Sequence, residues 1–187
     1  MKAYHGGMDK AGILGAVLAG GQSRRFGSDK ALAVHEGLTL IERAVDQLSH
    51  WCGAEIAVGR QVAPVPVVPD WPDAGLGPLG GIAGALRHGR DNGFFAVLTI
   101  GVDSLGLPEN LPDRLKPAPA YLADQPVVGL WPVSAFEVAE AILAGEGRHS
   151  MRAFAEAVGA RAVRLATPTI NINHPDDLAG LKPRPTA

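Results

Sequence analysis

The chain has 187 residues, of which 47% are hydrophobic and 19% are charged, and its formal net charge is −2 at pH 7. This composition predicts one folded domain with a sizeable core and excludes extensive disorder. The small net charge predicts no nucleic-acid or membrane partner, so any basic site has to be local.

Cysteine content and hydropathy indicate the cellular compartment in which the protein works. The single cysteine, Cys52, excludes an intramolecular disulfide and a cysteine-rich zinc site, and it fits a reducing compartment. No apolar run approaches the ~20 residues that span a bilayer, and the N-terminus lacks the apolar segment of a signal peptide. We therefore predict a cytoplasmic protein with a flexible N-terminal tail at 1–11, one domain at 12–181 and a C-terminal tail at 182–187.

Apolar runs and helical patterns alternate along the chain. In chain order they predict a strand at 12–18, a helix at 39–51, a strand at 54–59, a short strand within 63–70, a helix at 77–89, a strand at 93–103, helices at 134–147 and 149–160, a strand at 160–166 and a helix beginning near Pro175. This alternation is typical of an α/β fold with a mostly parallel central sheet flanked by helices. Ligands of such sheets bind outside the carboxyl ends of the strands, here in the loops after Leu18 and Ile100.

The loop after the first predicted strand reads LAGGQSRRFGSDKAL. Gly20 and Gly21 allow backbone N–H groups to approach an anion closely, and Arg24, Arg25 and Lys30 supply positive charge. The spacing matches neither the Walker phosphate loop nor the dinucleotide-binding fingerprint. From residue types alone, a mobile basic loop and a cradle for phosphates both remain open.

The order of these residues resembles the signature L-A-G-G-x-S-x-R-x-G-x-D-K of nucleotidyltransferases, in particular the molybdenum cofactor guanylyltransferase family, which joins GMP to molybdopterin. The resemblance runs from about residue 12 to 181 and implies a single-domain, Rossmann-like nucleotidyltransferase. It implies that the nucleotide is bound by Leu18, Ala19, Gly20 and Gly21. It also implies that two catalytic side chains, Arg24 and Lys30, act on the phosphates.

A carboxylate follows the strand predicted at 93–103. A turn-forming aspartate is the ordinary interpretation of Asp103 at such a strand exit. The family segment reads C-D-x-P, with the aspartate on Mg²⁺, and this chain reads VDSLGLP. The aspartate aligns, whereas Val102 and Leu105 depart from the pattern. The resemblance implies that Asp103 is a catalytic, nucleotide-binding residue and the ligand of a Mg²⁺ cofactor.

The segment PDWPDAGLGPLGG matches the family order of an aspartate, a short spacer and G-P-L-x-G. The resemblance implies that the nucleotide also contacts Asp70, Gly77, Pro78 and Leu79. Asp73 is a competing carboxylate, but the spacing favours Asp70. A family asparagine that binds the nucleotide aligns near Gly59, where this chain departs, and Arg60 beside it is a candidate replacement.

The ending NINHPDDL resembles the family's N-x-N-x-P-E-[DE]-L. The amides of Asn171 and Asn173 donate and accept hydrogen bonds, as a pterin edge requires. One of them is also suited to capping the helix near Pro175. The resemblance implies pterin contacts from this pair and from Arg148, which follows a looser match.

The implied reaction is attack by the terminal phosphate of molybdenum-molybdopterin on the α-phosphorus of GTP, with release of pyrophosphate. Transient contacts with molybdenum-insertion proteins and target molybdoenzymes are expected. Three alternatives stay open: a relative that uses CTP, a sugar-phosphate nucleotidyltransferase, which the ending disfavours, and a non-catalytic nucleotide- or pterin-binding module. A dehydrogenase is excluded by the missing fingerprint.

Overall fold

The computed structural model describes residues 9–20, 29–147, 149–167, 169–172 and 177. The strands are β1 (Ile13–Leu18), β2 (Val34–His35), β3 (Leu38–Thr39), β4 (Ala54–Val58), β5 (Val67–Val68), β6 (Ala96–Gly101), β7 (Ser104–Leu105), β8 (Ala120–Leu122), β9 (Gln125–Pro132), β10 (Arg161–Val163) and β11 (Ile170–Asn171). The α-helices are α1 (Leu40–Trp51), α2 (Pro78–Asp91), α3 (Leu111–Leu115), α4 (Phe136–Ala144) and α5 (Met151–Ala157). Short 3-10 turns lie at Lys10–Gly12, Lys30–Leu32 and Val133–Ala135.

Seven of these strands form the central sheet in the order β10-β8-β9-β6-β1-β4-β5. The four strands β6, β1, β4 and β5 run parallel to one another. Strand β9 is antiparallel to both β6 and β8, and β10 is parallel to β8. The mostly parallel sheet predicted from the alternation of strands and helices is thereby confirmed.

Apolar side chains cover the sheet on both faces. One core cluster joins β1 and β6 to α1 and α3, and the other joins them to α2, α4 and α5. Within β1, Ile13 and Val17 belong to the first cluster and Leu14 and Ala16 to the second. Burial on both faces explains why β1 and β6 are continuous apolar runs.

Two helices begin where local chemistry favours a start. Thr39 caps α1 through a capping box with Glu42, in which the Thr39 hydroxyl oxygen accepts the Glu42 N–H and the Glu42 carboxylate accepts the Thr39 N–H. Helix α2 begins with Pro78 at its first position, directly after Gly77, which has a φ of +74°. The second start matters for the site, because α2 packs behind the segment that carries Asp70.

The predicted and observed elements differ mainly in the middle of the chain, where β8, β9 and α3 were not expected. Trp131 in β9 is fully buried, donates its indole N–H to the Thr99 hydroxyl and packs against Phe154. Residues 1–8 of the predicted N-terminal tail, the C-terminal tail and Pro175 lie outside the described residues. In the part of the chain that is described, no helix combines the length and apolar character needed to cross a membrane.

Candidate active site

The four parallel strands of the central sheet end in one row. Gly101, Leu18, Val58 and Val68 are successive partners in the registers of β6, β1, β4 and β5. Two positions beyond this row stand, in the same order, Asp103, Gly20, Arg60 and Asp70. Since neighbouring strands lie ~4.8 Å apart, this carboxyl edge is about 14 Å wide from β6 to β5. The sheet therefore collects loops that are far apart in sequence at one edge, as expected for ligand binding by a parallel sheet.

Lys30 and Asp103 form an ion pair at this edge. The Lys30 Nζ lies 2.7 Å from the Asp103 Oδ2, and the two side chains are 12% and 25% exposed. Limited exposure to solvent strengthens such a charge pair relative to one on the open surface. The other carboxylate oxygen, Oδ1, lies over Gly101, where a Cβ atom would be only 2.6 Å away. Two of the three predicted catalytic residues, Lys30 and Asp103, thus lie side by side in the structure.

The far end of the chain reaches the same place. Strand β11 pairs antiparallel with β7, so that Asn171 lies opposite Ser104 and Ile170 opposite Leu105. The Ile172 N–H donates to the Asp103 carbonyl oxygen at 3.2 Å. The segment predicted to bind the pterin is therefore adjacent to the carboxylate predicted to act on the phosphates.

Four predicted site residues lie outside the described residues: Gly21, Arg24, Arg148 and Asn173. Among the predicted site residues that are described, not every side chain is available to contact a ligand. Leu79 is fully buried in the core. The Leu18 carbonyl accepts the Val102 N–H, and the Ala19 N–H donates to the Val58 carbonyl. Backbone groups at Leu18 and Ala19 are thus already engaged with neighbouring strands.

Gly20 and Gly59 bring the ends of β1 and β4 into backbone contact. A Cβ built on Gly59 would lie 2.5 Å from the Gly20 Cα, and Gly59 has a φ of +82°. The position near which a nucleotide-binding asparagine was expected therefore has no room for a side chain. Glycine meets both demands, the close approach and the left-handed backbone.

We expect Gly59→Ala to lower the free energy of unfolding by about 3 kcal/mol. The cost of holding an alanine in a left-handed backbone conformation adds to the cost of its Cβ clashing with the Gly20 backbone. Gly93→Ala is the matched control, since Gly93 has a φ of +78° but a Cβ added there would meet nothing within 4 Å. In Gly93→Ala the free energy of unfolding should fall by only about 1 kcal/mol. Urea unfolding of both variants measures the difference, and equal losses would contradict a close approach at Gly59.

Asp70 is held against the start of α2. The Trp71 N–H donates to the Gly80 carbonyl at 3.0 Å, and Gly84 lies against the Pro69 backbone, where a Cβ would be 2.2 Å from the carbonyl oxygen. The Asp70 Oδ1 is buried and has no hydrogen-bond partner among the described residues. Burial raises the pKa of Asp70, and a hydrogen bond from the Gly75 backbone partly offsets that rise. A buried, unpartnered carboxylate oxygen is costly to the fold, which favours a role in ligand binding over a structural one.

Asp70→Asn should therefore raise the melting temperature at pH 7. A carboxyl group whose folded pKa is raised favours folding only when it is protonated, so ionised Asp70 destabilises the protein at neutral pH. The gain should shrink as the pH falls toward the unperturbed pKa of 3.8. Thermal melts at pH 7 and pH 4 test this, with the exposed Asp73→Asn as a control that should melt like the unmodified protein at both. A lower melting temperature for Asp70→Asn at pH 7 would contradict the cost assigned to this carboxylate.

Asp29 lies directly beside Lys30 and was not among the residues predicted for the site. One carboxylate oxygen, Oδ1, accepts the Ala31 N–H at 3.1 Å and so caps the 3-10 turn that begins at Lys30. The other oxygen, Oδ2, accepts from the Arg60 Nη2 at 3.1 Å. The signal was present in the sequence, because Asp29 is the aspartate of the D-K pair in the loop signature and aspartate is a preferred capping residue.

Oxygen ligands for a divalent metal come from few side chains here. No group of three or more histidine, cysteine, aspartate or glutamate residues with metal-site geometry occurs among the described residues. Asp103 supplies one carboxylate at the edge of the sheet. A site with one or two carboxylates suits a cation that takes its remaining ligands from substrate phosphates and water.

Comparison with known proteins places this chain in a family. Residues 15–167 match the model of the MobA-like NTP transferase domain. The molybdenum cofactor guanylyltransferase of Acidiphilium cryptum is 36% identical over 87% of this chain and 90% of its own, and that of Rhodobacter capsulatus is 34% identical over 92% and 96%. A crystal structure of molybdopterin-guanine dinucleotide biosynthesis protein A from Archaeoglobus fulgidus has the same fold, with a TM-score of 0.71 at 23% identity over 89% of this chain and 95% of that one. The family suggested by the loop signature is thereby confirmed, and this chain belongs to the MobA-like NTP transferase domain family.

Proposed function

We propose that this protein transfers GMP from GTP to the terminal phosphate of molybdenum-molybdopterin, forming the guanine dinucleotide cofactor and releasing pyrophosphate. The curated relatives are named for this activity. The observation that carries the proposal is the pairing of β11 with β7. It brings the segment assigned to the pterin beside Asp103, so that donor and acceptor substrates meet at the Lys30–Asp103 pair.

In this proposal GTP lies along the carboxyl edge from β5 to β6, with its base toward Asp70 and its phosphates toward Asp103. The edge is about 14 Å wide, which suits an extended nucleoside triphosphate. Gly20 and Gly21 supply backbone donors, since the Ala19 N–H is already engaged. The remaining nucleotide contacts are proposed at Leu18, Ala19, Gly77, Pro78 and Leu79. At Leu79 the backbone makes the contact, because the side chain is in the core.

Asp103 is proposed to hold Mg²⁺. Its carboxylate is a hard oxygen ligand at the phosphate end of the site, and Mg²⁺ commonly binds through one or two carboxylates together with substrate phosphates. When bound, Mg²⁺ neutralises phosphate charge and reduces the repulsion between the two anionic substrates. The donor set at this edge therefore fits the cofactor.

The protein need not supply a nucleophile. The terminal phosphate of the pterin is anionic, and one of its oxygens forms the new bond to the α-phosphorus of GTP as the bond to the pyrophosphate oxygen breaks. The work left to the protein is alignment and charge stabilisation. Lys30 and Arg24 stabilise the negative charge on the α-phosphate and on the leaving pyrophosphate. Asn171, Asn173 and Arg148 hold the pterin.

We further propose that the domain comprises residues 12–181 and works in the cytoplasm, where the only cysteine, Cys52, remains a buried free thiol. Burial raises the pKa of this thiol to about 12, so it is unreactive at neutral pH. Transient contacts with molybdenum-insertion proteins and target molybdoenzymes would supply the substrate and receive the product.

A turnover assay tests the function. Purified protein is incubated with molybdenum-loaded molybdopterin, Mg²⁺ and either GTP or CTP, and the dinucleotide and pyrophosphate are measured. Product with GTP alone supports the proposal, and product with CTP alone keeps the chemistry but replaces the donor. Nucleotide binding without product from either would point to a binding module instead.

A further inference from the structure

We propose that Arg60 is a positioning residue, which holds Asp29 and, through Asp29, sets the place of the Lys30 ammonium. Arg60 stands beside the position where this chain departs from the family's asparagine. The inference rests on the proposed function for the reaction that it serves. The contacts that carry it are independent of which nucleotide binds.

One carboxylate links Arg60 to the turn that starts at Lys30. The Asp29 Oδ2 accepts from the Arg60 Nη2, and the Asp29 Oδ1 accepts from the Ala31 N–H, both at 3.1 Å. The Ala31 N–H belongs to the 3-10 turn Lys30–Leu32. The turn from which the Lys30 side chain leaves the backbone is thus linked, through Asp29, to a residue two positions beyond the end of β4.

Within this ion pair, Arg60 is the more buried side chain and restrains the more exposed Asp29. The Arg60 side chain is only 13% exposed, whereas that of Asp29 is 49% exposed. The Arg60 Nε also donates to the Val62 carbonyl. Arg60 directly follows Gly59, whose backbone lies against Gly20. The guanidinium is therefore anchored to the backbone of its own loop directly after β4, from which it reaches across to Asp29.

Lys30 needs such support because its ammonium sits on a long, flexible stem. Its 2.7 Å contact with Asp103 joins residues 73 positions apart and depends on where the backbone of the turn begins. An error of about 1 Å in the placement of a catalytic group lowers the rate strongly. Loss of the Arg60–Asp29 contact should therefore reduce kcat more than it affects nucleotide binding.

The test compares Arg60→Ala, Asp29→Asn and the double variant. Asp29→Asn keeps an oxygen acceptor for the Ala31 N–H while removing the charge that binds Arg60. Arg90→Ala is the matched control: its guanidinium lies 3.2 Å from Asp91, which is 50% exposed, at the opposite end of α2. Pyrophosphate release gives kcat and KM, thermal melting gives stability, and labelling with trinitrobenzenesulfonate followed by peptide mass analysis gives the reactivity of Lys30.

We expect kcat to fall about fivefold in both single variants, with KM for the nucleotide changed less than about twofold. The double variant should be no slower than Arg60→Ala, because each substitution breaks the same contact between Arg60 and Asp29. Lys30 should react faster with the reagent than in the unmodified protein or in Arg90→Ala.

Unchanged kcat in folded Arg60→Ala would overturn the proposal. So would a rise in KM with additive losses in the double variant, which would make Arg60 a direct ligand of the nucleotide. If the unmodified protein turns over neither GTP nor CTP, the proposed function fails and the labelling decides alone. Equal Lys30 reactivity in Arg60→Ala and the unmodified protein would then overturn the positioning role.

Discussion

Asp103→Ala should reduce pyrophosphate release by at least about a hundredfold while the protein stays folded. The carboxylate is the proposed metal ligand at the phosphate end of the site, and it is the partner of the Lys30 Nζ at 2.7 Å. Its removal takes away the proposed metal ligand and leaves the ammonium without its partner. The backbone of this residue also makes a structural contact, since its carbonyl accepts the Ile172 N–H, and alanine retains that contact.

Two further variants make the Asp103 test decisive. Asp103→Asn keeps the shape and loses the charge, so it should be nearly as slow as the alanine variant. Asp113→Ala is the control: Asp113 also pairs with a lysine, Lys116 at 3.1 Å, but on the exposed surface of α3. It should turn over like the unmodified protein. Near-normal kcat in folded Asp103→Asn would remove Asp103 from the active site.

The strands that are buried on both faces by helices were predicted well from the sequence. Strands β1 and β6 are continuous apolar runs because helices cover both sides of the sheet. Strand β9 was missed because proline and glycine interrupt it at Pro126, Gly129 and Pro132. These residues are locally typical of a loop, and only pairing with β6 and β8 makes the segment a strand. Such pairing joins distant parts of the chain and leaves little local signal.

Motifs predicted candidate residues for the site but not the contacts between them. Lys30 and Asp103 were each selected by resemblance, and their ion pair comes from the adjacency of β1 and β6. The contact between Arg60 and Asp29 was not predicted, because it depends on the side chain of Arg60 crossing from the end of β4. The proximity of Asn171 to Ser104 has the same origin, since it arises when β11 pairs with β7.

The second large effect is expected for Lys30→Met, which should lower kcat by about a hundredfold while the free energy of unfolding falls by only about 1 to 2 kcal/mol, more than for an exposed ion pair. Methionine retains an apolar stem of similar length, so the loss reports the charge rather than packing. Lys116→Met is the matched control, because Lys116 makes a similar ion pair with Asp113 away from the site. Normal specific activity with a collapse in thermal stability would identify Lys30 as a structural lysine.

The double variant Lys30→Met, Asp103→Asn separates two ways in which this pair can act. If Lys30 and Asp103 stabilise the same reacting phosphate, removing both should cost little more than removing the more damaging one. If Lys30 serves only to hold the Asp103 carboxylate in place, Lys30→Met alone should leave kcat recoverable at high Mg²⁺, because more metal compensates for a misplaced ligand. We expect no such recovery, because the Lys30 side chain is only 12% exposed. In such a partly desolvated place a positive charge would stabilise the transferred phosphate directly, as proposed for Lys30. Kinetics of the three variants over a Mg²⁺ series distinguish a catalytic lysine from one that only positions the carboxylate.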